Sequence, residues 1–287
     1  MIKCIVCDLD GTLIKHDDMI EEKTAKLLME CIHQGIEFII ATGRDMNMVI
    51  DFLDHYQIDC DLILNNGTQY RDRKGTFNEI YPMNNESFIK IAHVLNDYGY
   101  LLAIHTDHGK YSLVDAETFW NYHYKLISSS YPLPLPKKTF TTREGYLRDF
   151  HYAPTPEDII NQGIQVLKID ARHCDAYSVK GVKEQLNDPH LDISSSFEDN
   201  IEITSNVTNK GKLLEKIISQ KGYLPEELAV FGDGENDCYM LREFPYSFAP
   251  ANACSLAKQE AHFVLSQTND EGAVYEGLMI LKNKKLL

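Results

Sequence analysis

A doubly wound α/β fold, with a parallel sheet interrupted by an α+β insert, is what this sequence predicts, and three observations carry it. Short, continuously apolar runs alternate with amphipathic stretches over the first 80 residues. A middle of different texture, rich in tyrosine and histidine, follows from about 82 to 204. The opening alternation returns after Lys210. Apolar runs without polar alternation mark strands covered on both faces, as in parallel sheets. Their connections are right-handed, and ligands gather at the carboxyl ends of the strands.

Taken in order, 2–7 is a buried strand. The stretch 22–34 is a helix with apolar residues at Ala25, Leu28 and Ile32, and Gly35 closes it as a C-cap. A strand over 36–41, a helix over 45–56 and a strand over 61–64 continue the Rossmann-like pattern. The middle carries strands over 101–106, 110–114 and 165–170 and helices near 87–98 and 175–186. It also holds the lone Trp120 and a proline-dense loop at 131–136. A helix over 210–221 then leads to a strand at 228–231, a glycine–acid turn and a helix. Strands near 246–248 and 262–265 and a last helix from Asp270 complete the chain. The expected plan is a discontinuous core over 1–82 and 205–287, with an inserted domain over 83–204.

With 287 residues, 44% of them hydrophobic and 25% charged, the chain has ample material for a core. A net charge of −15 argues against a nucleic-acid partner, because affinity for a phosphate backbone needs a basic face. Small anionic substrates stay possible, since a few donors and a metal make one pocket locally positive. No signal peptide is read at the N-terminus, and no apolar run reaches the roughly 18 residues of a membrane span. The expected location is cytoplasmic, which leaves the glycosylation sequons at Asn66, Asn85 and Asn206 inert. Cys4 and Cys7 spell C-x-x-C, but inside an apolar strand residues three apart point to opposite faces, so packing explains them.

Four short stretches stand at strand ends or at a helix start. They are Asp8-Leu9-Asp10-Gly11-Thr12, Thr42-Gly43-Arg44, Lys210 with Gly211, and Gly232-Asp233-Gly234-Glu235-Asn236-Asp237. Singly each has an ordinary reading: a turn, a solvated lysine, a capped loop. A calcium loop would need a helix before Asp8, and a buried strand precedes it. Jointly they suit phosphoryl transfer, which needs an in-line nucleophile, charge neutralisation and a proton for the leaving oxygen. Asp8 can attack as a carboxylate, and Asp10, two residues on, can give and later take a proton. Two anions require a cation between them, and Mg2+ suits carboxylates from Asp8 and Asp233 completed by water and phosphate. The Thr42 hydroxyl and Gly43 N–H are donors for phosphoryl oxygens, and Lys210 offsets the carboxylates.

These stretches resemble the haloacid dehalogenase (HAD) superfamily, and in detail the Cof-type (IIB) phosphatases. Asn65-Asn66-Gly67 after the third strand and Asn269-Asp270-Glu271-Gly272-Ala273 before the last helix extend the resemblance over nearly the whole chain. It implies a Rossmann-like HAD core with a C2-type cap, since the insert follows the third strand. Asp8 is then the nucleophile and Asp10 the acid/base. The metal is bound by Asp8, the Asp10 backbone carbonyl and Asp233. Phosphate is held by the Leu9 N–H, Thr42, Gly43, Lys210 and Asn236, with Asp237 one shell out. Before Lys210 the segment 204–209 lacks the Pro and Gly frequent in relatives, and Val207 resists a left-handed turn.

The resemblance implies a hydrolase for small phosphorylated metabolites such as sugar phosphates, working as a monomer or homodimer. A phosphomutase on the same scaffold uses the same two aspartates, so the core does not separate the two. A non-catalytic phospho-acceptor would lack both Asp10 and the large insert. In the insert, Trp120, Tyr122, Tyr124 and Tyr131 read chiefly as domain core. Lys137, Lys138, Arg143 and Arg148 read chiefly as a solvated basic face. His105 and His108 receive no role, and the part played by Arg44 stays open.

Overall fold

The computed structural model describes residues 1–75, 78–130, 139–195 and 199–287. The chain opens with β1 (Cys4–Cys7), α1 (Glu22–His33), β2 (Glu37–Ala41), α2 (Met46–Tyr56), β3 (Asp61–Leu64), β4 (Gln69–Arg71) and β5 (Asn78–Ile80). Next come α3 (Asn85–Asp97), β6 (Leu101–Thr106), β7 (Gly109–Ser112), α4 (Ala116–Ser130), α5 (Arg143–Tyr146) and β8 (Phe150–Tyr152). They are followed by α6 (Pro156–Asn161), β9 (Val166–Arg172), α7 (Ala176–Gln185), β10 (Leu191–Ser194) and β11 (Asn200–Ser205). The last stretch holds α8 (Lys210–Lys221), β12 (Leu228–Phe231), α9 (Cys238–Glu243) and β13 (Ser247–Ala249). It ends with α10 (Ser255–Glu260), β14 (Phe263–Val264) and α11 (Ala273–Asn283). Tyr131, the proline-dense loop, Lys137 and Lys138 lie outside the described residues.

The chain forms two compact units. One is built from Met1–Gly43, Tyr56–Glu79 and Thr208–Leu287, the other from Arg44–His55 and Ile80–Val207. The stretch 44–55 joins the second unit because its polar side chains bond there. Asp45 meets His105 at 2.9 Å, Asn47 meets Asp149 at 2.9 Å, and Asp51 takes both Nη atoms of Arg148. Arg44 Nη1 donates to the Met48 carbonyl within the same stretch.

In the first unit the sheet runs β14-β13-β12-β1-β2-β3-β4-β5. Pairing is parallel from β14 to β3, and β4 returns antiparallel on β3. All four residues of β1 are fully buried, as are all four of β12, which explains their unbroken apolar character. Burying Ile5 and Val6 stabilises the unit by about 1.5–3 kcal/mol each. Cys4 and Cys7 are free buried thiols. The side chain of Glu21 caps α1 by accepting from Thr24 N–H. The buried face of α1 is Thr24, Leu27, Leu28 and Cys31, so Leu28 is central while Ala25 and Ile32 flank it. Gln34 is the C-cap, and Gly35 follows with φ +92°.

The second unit is a six-stranded sheet, β10-β11-β9-β6-β7-β8, antiparallel except where β8 lies parallel to β7. One face is apolar: Leu102, Ile104, Ile169, Ala171, Ile201 and Ile203 pack with Phe88, Leu95, Ile159 and Val179 from the helices. On β9 and β11 the opposite positions carry charge. Lys168 Nζ sits 2.6 Å from Glu202 Oε1, both buried, and Asp170 accepts from Arg172 and Asn200. Trp120 and Tyr122 pack against a second cluster of Leu101, Ala103, Phe119 and Tyr146, while Tyr124 is exposed. Arg143 pairs with Glu117 at 3.0 Å. Among the described residues no helix is long and apolar enough to cross a membrane.

Candidate active site

The chain leaves β1 for β2 on one side and reaches β12 on the other only near its end, so the strand order reverses between β1 and β12. Crevices at such a reversal collect ligands at the carboxyl ends of the strands. The register makes the neighbours explicit: Cys7 pairs with Phe231 and with Ile40. Asp8 therefore leaves the sheet beside Gly232, its N–H bonded to the Phe231 carbonyl at 3.0 Å. Thr42 leaves β2 in the same row, its N–H on the Ile63 carbonyl at 2.8 Å.

Past Asp8 the backbone turns sharply. The Leu9 carbonyl accepts from the N–H groups of Thr12, Leu13 and Ile14 at 3.3, 3.0 and 3.0 Å. Leu9 is buried, so this residue contributes backbone, and Asp10 is exposed at the mouth of the turn. Gly11 has φ +76°, and a Cβ there would lie 2.3 Å from Asp233 Oδ2. Only glycine lets the first loop press against the carboxylate of the last. The Thr12 hydroxyl donates to Asp233 Oδ1 at 2.8 Å.

Lys210 opens α8, capped by Asn209, whose side chain accepts from Lys212 N–H. Its side chain is fully buried and its ammonium spans Asp8 Oδ1 at 2.7 Å and Asp237 Oδ1 at 2.8 Å. Asp237 Oδ2 accepts from the N–H groups of Asp233 and Gly234, at 3.0 Å each. Asp237 is thereby the organiser of the 232–237 loop as well as a partner of Lys210. Val207 is exposed and its φ is not positive, so the path to Lys210 needs no left-handed residue there.

Asn236 is held by a residue whose role the sequence does not reveal. Its Nδ2 donates to Asn66 Oδ1 at 2.9 Å, while Asn66 N–H donates to the Thr42 carbonyl at 3.1 Å. Asn65 and Asn66 both adopt positive φ, which asparagine tolerates. Gly67, at φ +95°, lies so close to Asn209 that a Cβ would fall 2.2 Å from its carbonyl carbon. The Asn65-Asn66-Gly67 turn thus touches the mounts of Thr42, Asn236 and Lys210 together.

Asp8, Asp233 and Asp237 each offer a carboxylate oxygen, all within 4.8 Å of one another. Burial pushes the Asp8 carboxyl well above the usual carboxylate range; Lys210 works the other way, and Asp237, Asp233 and Asp10 add to the rise. Burial and then repulsion from Asp237 push Asp233 up to about 7, against the Thr12 hydroxyl. For Lys210 burial opposes the charge, and Asp237 and Asp8 outweigh it, raising its pKa above the ordinary lysine value. One ammonium facing three carboxylates leaves uncompensated negative charge among hard oxygen donors. Such a set fits a divalent metal ion.

A family model for haloacid dehalogenase-like hydrolases matches residues 5–278. Over 277 residues the chain is 26% identical to the 5-amino-6-(5-phospho-D-ribitylamino)uracil phosphatase of Bacillus subtilis, covering 96% of each protein. It is 26% identical over 275 residues to the pyridoxal phosphate phosphatase of Escherichia coli, covering 94% of this chain and 95% of that one. A solved haloacid dehalogenase-like hydrolase from B. subtilis superposes with a TM-score of 0.84 at 23% identity, over 98% of this chain and all of the other.

Proposed function

This chain belongs to the haloacid dehalogenase-like hydrolase family, and from that membership we propose that it is a magnesium-dependent phosphatase of small phosphorylated metabolites, working through an aspartyl-phosphate on Asp8. The observation that carries the reading is the buried bridge from Lys210 to Asp8 and Asp237, with Asp233 beside it.

Lys210 fixes Asp8 by its Oδ1, which holds the carboxylate for in-line attack on phosphorus. As the new oxygen–phosphorus bond forms, the ester oxygen leaves and Asp10 supplies its proton. Asp10 then takes a proton from the water that attacks the phosphoenzyme, returning Asp8 to its carboxylate and releasing phosphate. The Leu9 and Gly43 N–H groups, the Thr42 hydroxyl and the Asn236 amide donate to the phosphoryl oxygens. Asn66 fixes the orientation of the Asn236 amide by taking one of its two N–H donors. Asp8, the Asp10 carbonyl and Asp233 would hold a magnesium ion, which would supply positive charge to offset a carboxylate and a phosphate dianion. Asp237 keeps Lys210 and the 232–237 loop in place.

The domain over 83–204 acts as the cap that selects the substrate. The relatives named above act on a phosphorylated ribitylaminouracil and on pyridoxal phosphate. Phosphomonoesters joined to a nitrogen heterocycle, together with sugar phosphates, therefore form the first panel to screen. Phosphate release from that panel with magnesium is the test. Absence of release from every member and from p-nitrophenyl phosphate, in folded protein, would sink the reading.

A further inference from the structure

The face of the second unit's sheet opposite its apolar core carries basic groups in register. Lys110 on β7 pairs with His105 on β6, and His105 pairs with Lys168 on β9. Three basic side chains thus share one cross-strand row with neighbours about 5 Å apart, an arrangement that costs stability where both are charged. Glu202 partners Lys168, and Asp45 meets His105 Nδ1 at 2.9 Å. The buried Lys110 ammonium donates instead to an uncharged group, the Tyr146 carbonyl, at 2.9 Å. Burial lowers its pKa below the ordinary lysine value, with Asp45 and Asp170 opposing. An ammonium has three N–H donors, so this one bond leaves two for a ligand. Two residues on, the Ser112 hydroxyl is buried without a partner.

The Asp45 carboxyl lies below its ordinary value, because burial is outweighed by the His105 hydrogen bond and by Lys110. An ionised carboxylate only accepts, so His105 Nδ1 carries the proton, and in the neutral ring Nε2 is an acceptor. A donor on Lys110 and an acceptor on His105 therefore stand on directly opposed residues. That pair matches adjacent hydroxyls, one receiving from Lys110 and the next donating to His105. A flat ring finds no such fit beside Lys110. The Tyr146 ring is stacked on His123, with centroids 3.6 Å apart and planes 12° apart, and the Lys110 ammonium stands 4.0 Å from its centre. The imidazole fills one face, so the ammonium takes the other.

We propose that Lys110 and His105 are specificity-determining residues that recognise vicinal hydroxyls in the part of the substrate beyond its phosphate. The inference rests on the phosphatase reading above. Asp45, the partner of His105, stands three residues after Thr42, and three residues of chain span at most about 11 Å. A polyol chain esterified to a phosphoryl group at Thr42 is of comparable length. The paired charges of His105 with Asp45 and Lys168 with Glu202 leave little attraction for a second phosphate, so the favoured class is a phosphorylated polyol or sugar with one phosphate.

The test compares ribitol 5-phosphate with n-pentyl phosphate, the same carbon chain without hydroxyls, by phosphate release in magnesium. The wild-type protein is expected to prefer the ribitol ester by at least about tenfold in kcat/KM, because the pentyl ester leaves buried polar groups unpaired. Lys110→Met keeps the length of the side chain and loses its donors. His105→Asn keeps a donor for Asp45 and loses Nε2. Each is expected to cut the preference roughly tenfold, chiefly through KM for the ribitol ester. A general structural defect would lower both substrates by the same factor and leave their ratio alone. A wild-type ratio near one overturns the proposal, whether or not the variants fold, and so does an unchanged ratio in both folded variants. Failure of the phosphatase reading looks different, with no release from either ester or from p-nitrophenyl phosphate, and it would overturn both.

Discussion

The ammonium of Lys210 lies 2.7 Å from Asp8 Oδ1, both groups being buried and 202 positions apart in the chain. Replacing this lysine by methionine leaves three carboxylates facing one another without a side-chain cation. Lys210→Met is expected to lower turnover of p-nitrophenyl phosphate by roughly 10²–10³ through loss of charge stabilisation. It also costs about 3–5 kcal/mol in urea unfolding without added metal, as expected on breaking a buried pair. Lys210→Arg should not restore activity, because a planar guanidinium does not fit a fully buried two-carboxylate bridge. Retention of wild-type turnover by the methionine variant would remove Lys210 from the site.

Asp8→Asn should abolish turnover and the acid-stable, hydroxylamine-labile phosphoenzyme together, since the attacking oxygen is lost. Asp10→Asn should behave differently. With p-nitrophenyl phosphate it is expected to form phosphoenzyme and then stall, slowing the second step by about 10²–10⁴. Trapping experiments with radiolabelled phosphate distinguish the two, and a folded, active Asp8→Asn protein would refute the nucleophile.

Removal of divalent cations with a chelator should stop turnover, and magnesium should restore it. Calcium is expected to bind and inhibit, because its longer bonds and looser geometry misplace the phosphate. Unchanged activity in chelator would take Asp233 out of a metal role.

Two glycines with nearly the same φ predict opposite magnitudes. A methyl on Gly67 would collide with Asn209 backbone, whereas a Cβ on Gly35 meets open space. Gly35→Ala should therefore cost only the left-handed penalty of about 1–2 kcal/mol. Gly67→Ala should cost more than this and also reduce kcat/KM, because it displaces the start of α8 that carries Lys210. Urea titration with parallel kinetics checks both, and equal stability losses would count against the packing argument.

His123 sets a pH dependence in the second unit. Its Nε2 lies 2.7 Å from the Phe140 carbonyl, which only accepts, so Nε2 holds the proton. A second proton would go to Nδ1, which is buried without a partner. Burial lowers this histidine from 6.5 to about 3, against the Phe140 carbonyl. The unfolded chain then binds the extra proton first. The stability His123 contributes is fully present above pH 6.5 and lost as pH falls toward 3. Between pH 7 and 4.5 the wild type should lose about 2–3 kcal/mol more than His123→Gln. Denaturant midpoints at the two pH values measure the gap, and identical slopes for both proteins would contradict it.

The legible part of this molecule is where chemistry and secondary structure coincide. Asp8, Thr42 and Asp233 follow unbroken apolar strands, and Lys210 starts a helix, so each stands out against its surroundings. Asn66 belongs to a stretch that extends the resemblance but receives no role, because an asparagine in a loop already has an explanation as a turn residue. Its contact depends on which amide the fold delivers from 170 residues away. The strand β9 runs to Arg172, two residues beyond the apolar signal, because Asp170 and Arg172 occupy a charged face that alternation cannot register. Strands β4, β5 and β8 have only three residues each, too few to show any period.

The position of β1 between β2 and β12 also governs how the protein comes into being. As the polypeptide is synthesised, β1 finds β2 almost at once but waits for β12 while nearly two hundred further residues are made. At ~5–20 residues per second that interval is roughly ten to forty seconds. Throughout it the nascent chain carries an apolar strand with one open edge, a template for mispairing with other chains. Ribosome-bound intermediates stopped before Leu228 should therefore engage chaperones and lack the Asp8–Lys210–Asp237 bridge. The last third of the molecule closes the sheet and completes the site in one event.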